Sequence, residues 1–204
     1  GIKPENMVVV SIMPCVAKKY EAARPELGHG GTKDVDIVIT TRELARMINE
    51  AGISFNHIDD EDFDHPLGQS TGASVIFGAT GGVIEAALRT AYEWLTKETL
   101  ENVEFEVLRG MEGTKEATVN INGEDIHIAV THGLGNARNL LEKIRRGEAN
   151  YHAIEIMACP GGCLGGGGQT IPTNLSIREL RSEGIYDEDR SLKICKFHEN
   201  PEVQ

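Results

Sequence analysis

With 204 residues, 40% of them hydrophobic and 25% charged, the sequence has the composition of a folded protein and enough length to bury a core. A net charge of −12 is the wrong sign for a nucleic-acid surface, which needs clustered Lys and Arg. No run of about 18 apolar residues is present to cross a bilayer, and no basic–apolar–small signal opens the chain, so no membrane or nucleic-acid partner is expected and the location expected is cytoplasmic.

Met7 to Met13 is a short apolar, β-branched run that reads as a buried strand delivering Cys15 at its C-terminal end. Val35 to Ile39 reads as a second strand. Thr40 then caps a helix over Thr41–Glu50, with Glu43 completing a capping box and Gly52 stopping it. Residues 54–69 are polar and proline-containing and carry an acidic run (Asp59, Asp60, Glu61, Asp62, Asp64), hence a solvated loop. Ser74 to Phe77 reads as a strand entering Gly78-Ala79-Thr80-Gly81-Gly82, followed by an amphipathic helix from Val83 to about Thr96. Val103–Leu108 follows this helix and leads to a hairpin. A hairpin of Ala117–Ile121 and Ile126–Val130 is turned by Asn122-Gly123. Leu134 to Arg146 is a helix closed by Gly147, and Ala153 to Met157 is a last strand landing on Cys159. A short helix is expected near Asn174, then a polar tail. The alternation predicts an α/β fold, a mostly parallel twisted sheet flanked by helices with one hairpin. Ligands of such folds sit beyond the C-terminal strand ends, where both Cys15 and Cys159 fall.

Four cysteines, at 15, 159, 163 and 195, are too few and too unevenly spaced for a secreted disulfide framework and point to a reducing compartment. Cys159-Pro160-Gly161-Gly162-Cys163 is a CxxxC pattern on a glycine-rich loop. Glycine there lets backbone approach a bulky ligand and aim N–H groups at cluster sulfides. Taken alone, the pattern also fits a flexible loop with two incidental thiols, or a zinc site; zinc ligands more often come as two close pairs. The run Gly165 to Gly168 is entropically costly and needs a reason. The glycines at 78, 81 and 82 match neither phosphate-binding pattern, so close packing accounts for them better. The seven histidines show no ligand spacing.

Met13-Pro14-Cys15-Val16-Ala17-Lys18-Lys19-Tyr20-Glu21 resembles the MPCxxKxxE signature of iron-only hydrogenases. Glu155 to Cys163, followed by Gly166-Gly167-Gly168-Gln169, is similar to their ExMxCxxGCxxGGGQ signature, and Asp36–Leu44 and Ile76–Arg89 also look like family sequence. The resemblance covers nearly the whole chain in order. It implies part of a two-lobed catalytic domain, with residues 1–175 as core and 176–204 as tail. It also implies the family's cofactor, the H-cluster: a 4Fe–4S cubane joined through one cysteine sulfur to a diiron unit with CO, CN⁻ and a dithiolate ligand. By position, Cys15, Cys159 and Cys163 match cubane ligands, Cys163 being the bridge. Lys18 matches a lysine that holds a cyanide, as a compact ammonium suits a buried anion. Met13 and Met157 match methionines around the diiron unit, and Phe77 is expected to line the same pocket. Glu21 and Glu155 fit either orienting or purely structural roles.

The activity implied is reversible H2 oxidation and proton reduction, coupled to ferredoxin or to an NAD(P)-linked subunit. The sequence departs from the family pattern in holding no TSCCPxW motif, the source of the fourth cubane ligand, and in having Thr170 where proline commonly stands. The expectation is therefore a segment that relies on an upstream segment or subunit, with an incomplete cluster and little activity alone. Cys195 matches no family ligand and reads as structural. The alternatives are a sensory member of the superfamily, or a hydrogenase-like iron–sulfur assembly protein without the diiron unit. Lys18, Met13 and Met157 argue against the latter.

Overall fold

The computed structural model describes residues 1–61, 64 and 69–202, organised as two compact units. The first comprises the chain up to residue 62 together with residues 165–173; the second comprises 63–164 and the chain from 174 onward. The predicted loop residues Asp62 and His65 lie outside the described residues.

In the first unit, strand β1 (Val10–Met13) is followed by helix α1 (Ala17–Ala22), a small hairpin of β2 (Gly28–His29) and β3 (Thr32–Lys33), strand β4 (Ile37–Thr40) and helix α2 (Thr41–Glu50). β1 and β4 pair in parallel, Val10 opposite Ile37 through Met13 opposite Thr40. The N-terminus of α2 forms as its residues dictate. The Thr40 hydroxyl accepts from the Glu43 N–H at 3.2 Å, and the Glu43 carboxylate accepts from the Thr40 N–H at 2.7 Å. The apolar run before Cys15 departs from expectation. Only its last four residues are strand, and it is not buried: Val10 and Ile12 are each 50% exposed. A two-stranded sheet has no second layer over that face, so alternate residues stay outside.

In the second unit, helix α3 (Gly72–Val75) and a 3-10 turn (Ile76–Gly78) lead to helix α4 (Gly82–Thr96). Residues 74–77, expected as a strand, are therefore helical. Thr71 caps them by accepting from the Ser74 N–H at 3.3 Å, and Ala73 and Ile76 turn into the core. Within Val103–Leu108, Glu106–Leu108 is a 3-10 turn. Strands β5 (Thr114–Ile121) and β6 (Glu124–His132) form the expected hairpin, longer than its apolar pattern, with Asn122 at φ 54° and Gly123 at φ 85° in the turn. Helix α5 (Leu134–Arg145) then leads to strand β7 (Ala153–Met157), which pairs in parallel with β6, giving sheet order β5-β6-β7. Helix α6 (Leu175–Ser191), capped by Asn174, runs 17 residues where a short helix was expected.

One core cluster joins Ile84 and Leu88 of α4 to Ile121, Ile128 and Val130 of the sheet, under Leu108. A second gathers Ala73, Ile76, Ala79 and Ala86 with Leu164 and Tyr186 of α6. The last five residues of β6 are all buried, so both faces of the central strand are covered, and α5 also packs on it. The molecule is a mixed α/β structure with a parallel strand pair in each unit and helices around the sheets. No helix among the described residues is long and apolar enough to cross a membrane.

Candidate metal-cluster site

In the first unit, β1 ends at Met13, and Pro14-Cys15 leaves its C-terminal end just ahead of α1. The segment is gripped by the glycine run. The Gly168 N–H donates to the Pro14 carbonyl at 3.0 Å, and the Gly168 carbonyl accepts from the Arg42 N–H at 3.1 Å. The Arg42 guanidinium also donates to the Gly167 carbonyl at 2.9 Å. A Cβ on Gly168 would stand 2.8 Å from the Pro14 carbonyl carbon and 2.9 Å from the Cys15 nitrogen. This close backbone approach is the reason position 168 demands glycine.

Lys18 and Met13 border a cavity of about 260 Å³, lined also by Ser11, Glu21 and Val38. The Lys18 ammonium donates to both Glu21 carboxylate oxygens, at 2.6 and 2.7 Å, with both side chains half-exposed. Glu21 thus neutralises Lys18, and an anion entering the cavity would compete with this pair.

In the second unit, β7 delivers Met157 and then Cys159. The Cys159–Cys163 loop turns back on itself through the Gly162 N–H, which donates to the Cys159 carbonyl at 3.0 Å. Gly161 (φ 79°) and Gly162 (φ 86°) both occupy the left-handed region. Gly162 forms an antiparallel bridge with Ala79, and the Thr80 N–H donates to the Gly161 carbonyl at 3.2 Å. A Cβ on Gly162 would fall 2.7 Å from the Met157 sulfur and 2.9 Å from the Thr80 nitrogen; one on Gly161 would fall 3.0 Å from the Met111 sulfur. The glycines at 78, 81 and 82 serve close packing elsewhere: a Cβ there would meet the Ile185 side chain, the Leu108 carbonyl and the Ile76 carbonyl respectively. Beyond the loop, the Arg181 guanidinium of α6 holds the Leu164 carbonyl at 2.9 Å.

Glu155 on β7 has a structural task. Its buried carboxylate accepts from the Gly81 N–H at 2.6 Å and the Ile84 N–H at 3.0 Å, capping α4 and tying it to the strand that carries the loop. Phe77 lies on the 3-10 turn before α4 with its ring 5.5 Å from that of Phe197. The Cys195 thiol donates to the Asp189 and Leu192 carbonyls, and burial, with the nearby Asp189 carboxylate, pushes its pKa up. A raised thiol is a poorer thiolate ligand, in keeping with a structural role.

The structure thus groups Met13, Cys15 and Lys18 in one unit and Met157, Cys159 and Cys163 in the other, and within neither unit do three or more His, Cys, Asp or Glu side chains form a metal-holding group among the described residues. The loop suits an iron–sulfur group on two grounds. It pairs soft thiol donors with positive-φ glycines and thioethers, and Thr80, whose N–H is bonded to the loop, has a buried hydroxyl with no hydrogen-bond partner among the described residues. Two features escaped sequence reasoning: Met111 against Gly161, and the orphaned Thr80 hydroxyl. Neither has a local signal, since both arise from long-range packing.

The family model described as "Iron only hydrogenase large subunit, C-terminal domain" matches residues 1–167. The NADP-reducing hydrogenase subunit HndD of Solidesulfovibrio fructosivorans is 56% identical over the whole chain. The periplasmic [Fe] hydrogenase large subunit of Nitratidesulfovibrio vulgaris is 51% identical over 90% of it. A cytosolic Fe–S cluster assembly factor, narfl of Xenopus tropicalis, is 34% identical over 94%. The chain spans 35%, 44% and 42% of the lengths of these three relatives. Among solved structures, an apo variant of the [FeFe]-hydrogenase HydA1 from Chlamydomonas reinhardtii superposes with a TM-score of 0.79 at 38% identity, covering all of this chain and 58% of that one. The chain belongs to the family of C-terminal domains of iron-only hydrogenase large subunits.

Proposed function

We propose that this chain is the part of a hydrogenase catalytic domain that supplies Cys15, Cys159 and Cys163 as thiolate ligands of an H-cluster, for reversible H2 oxidation and proton reduction. The observation that carries the reading is the Cys159–Cys163 loop, with its two left-handed glycines, thioether backing and pinned backbone. When bound, the cluster supplies the site of H2 chemistry and the path for electrons. The chain's own residues bind and shield it. Thiolates anchor the iron, and Met13 and Met157 exclude water with adaptable apolar bulk. Lys18, released from Glu21, offers an ammonium to an anionic ligand. Phe77 adds apolar cover, and Gly161 and Gly162 let backbone approach without side-chain obstruction.

The electron partner is a ferredoxin or an NAD(P)-linked subunit, and the chain works with an upstream segment or subunit that completes the cluster. Identities of 56% and 51% to hydrogenases, against 34% to the assembly factor, favour the catalytic reading over iron–sulfur assembly. Retention of Lys18, Met13 and Met157 favours it too. The reading places the protein in the cytoplasm, as a cysteine-poor, thiol-dependent chain.

The test is anaerobic maturation of the chain with hydrogenase assembly factors, followed by infrared spectroscopy in the CO and CN⁻ stretching region and by metal and sulfide analysis. CO and CN⁻ bands that vanish in Cys163→Ala support the hydrogenase reading. Iron and sulfide without such bands, even when the upstream segment is supplied, favour the assembly class. Zinc in place of iron and sulfide overturns the reading.

A further inference from the structure

We infer that the outer face of the β1–β4 sheet is a docking surface for the remainder of a hydrogenase catalytic domain carried on the same polypeptide. The inference rests on the function proposed above and names the surface through which the chain meets the segment that completes its site.

The first unit has no hydrophobic core of its own. Every buried hydrophobic residue among the described residues lies in the second unit, from Ala73 to Tyr186. The apolar side chains of the β1–β4 pair face outward instead. Val10 and Ile37 stand opposite each other and are 50% and 49% exposed; Ile12, opposite Ile39, is 50% exposed. Val8, two positions before Val10 and so on the same face if the strand geometry continues, is 73% exposed. The opposite face is occupied: Ser11, Met13 and Val38 line the cavity beside Lys18 and Ala22 of α1. Parallel strands are almost always covered on both faces, and a unit of this size needs a buried core to hold together.

Two observations identify the occupant. The face is lined by aliphatic, β-branched side chains, so it calls for an apolar partner surface rather than a charged one. The chain also spans only 35% of HndD and 58% of the HydA1 chain, while matching both along its own full length. Those relatives therefore carry, on one polypeptide, protein that this chain lacks. A second copy of the chain is a poorer fit. Two strands of four residues present a patch of roughly 13 by 10 Å, far below the roughly 800 Å² that each partner of a stable complex buries. A tethered segment does not pay the cost of association and can settle on so small a patch.

The experiment compares the 204-residue chain with a chimera in which it replaces the matching region of HndD. Amide hydrogen exchange is followed at Val10–Met13 and Ile37–Thr40, with the buried Ile128–Val130 as internal reference. In the isolated chain the two first-unit strands should exchange quickly, and in the chimera at least about tenfold more slowly relative to the reference. The double variant Val10→Glu/Ile12→Glu should leave the melting temperature of the isolated chain unchanged. In the chimera it should abolish the added protection and lower the melting temperature.

Equal exchange in the two proteins, or a double variant that is harmless in the chimera, overturns the inference. So does a double variant that destabilises the isolated chain as much as the chimera, because the face would then be covered within these 204 residues. A native chain that sediments as a dimer, with the double variant a monomer, gives the face to a second copy and overturns it too. Infrared CO and CN⁻ bands in a matured chimera without added protection would sink the docking surface and keep the proposed function. Added protection with zinc in place of iron and sulfide would do the reverse.

Discussion

Arg89 of α4 and Asp189 of α6, one hundred positions apart, are joined by two parallel hydrogen bonds of 2.8 and 2.7 Å, with Arg89 wholly buried and Asp189 1% exposed. Arg89 also reaches Glu85 at 2.9 Å, the Cys195 carbonyl at 3.0 Å and the Val103 carbonyl at 2.9 Å. Arg109 donates to both Glu85 carboxylate oxygens, sharing Oε1 with Arg89, while lying 4.0 Å over the Tyr186 ring. Burial alone would lower the Arg89 pKa, but the Asp189 and Glu85 carboxylates outweigh it and hold the guanidinium charged. The network fastens α6, from which Arg181 holds the residue after Cys163, to the helix that begins beside the cysteine loop.

Removing one member leaves an uncompensated buried charge, which is costlier than removing the pair. Asp189→Leu is expected to destabilise the chain by about 3–5 kcal/mol. The double variant Arg89→Met/Asp189→Leu should recover most of the loss, because Glu85 keeps Arg109. Urea denaturation of the native chain, both single variants and the double variant gives the coupling; additive losses would show that the charges act independently.

Glu155→Gln keeps the shape at the foot of α4 but replaces one of two accepting oxygens with an N–H2 that faces a backbone N–H. The expected cost is about 1–3 kcal/mol. Hydrogen exchange should accelerate selectively at the Gly81 and Ile84 amides. Uniform acceleration along α4 would mean that Glu155 supports the helix as a whole rather than its first turn.

Where local chemistry decides, the sequence was readable. Thr40 and Glu43 specify their own cap, Asn122-Gly123 specifies its turn, and Ala153–Met157 ends where expected. Where packing decides, it was not. Residues 74–77 have strand-like composition, yet Ala73 and Ile76 are buried from a helical turn capped by Thr71. Val10 and Ile12 are apolar enough for a core strand, yet the two-stranded sheet leaves their face uncovered. At the candidate site, the cysteines announced themselves by motif. The partners that shape the loop, Met111, Thr80 and Arg181, lie tens of residues from it or on another element and leave no periodic trace.

Glu93 of α4 anchors the end of the chain. Its carboxylate meets the Lys196 ammonium at 2.5 Å, the His198 ring at 2.6 Å and the Leu100 N–H at 2.7 Å. Burial would raise its pKa, but the Lys196 ammonium and the Leu100 and His198 hydrogen bonds prevail and draw it down to about 2. A depressed carboxylate stabilises the fold above its unfolded pKa, near 4.3, and loses that contribution as pH falls toward 2. Glu93→Gln should therefore be less stable than the native chain at pH 6, with the two converging by about pH 2. A constant gap across an acid titration followed by circular dichroism would assign the effect to shape rather than charge.

Lys115 on β5 differs from Glu93 in that the fold disfavours its charged form, yet its contribution to stability also rises with pH. Its side chain is buried, and the ammonium donates to the Leu108 carbonyl at 2.5 Å and the Gly110 carbonyl at 3.0 Å, holding the turn that roofs Gly81. Burial lowers its pKa from 10.5 to about 8, against attraction from Glu155, Glu112 and Glu85. Between about pH 8 and 10.4 the unfolded chain binds a proton that the folded chain has released, so this group's contribution to stability rises with pH across that window. Below about pH 8 both states are charged and the penalty is constant, at most about 3 kcal/mol. The stability of the native chain relative to Lys115→Met should therefore climb from pH 7.5 to pH 10 in denaturant titrations. A flat difference would mean that the two carbonyls hold the ammonium charged in the fold, and that the turn is clamped by a buried cation throughout this range.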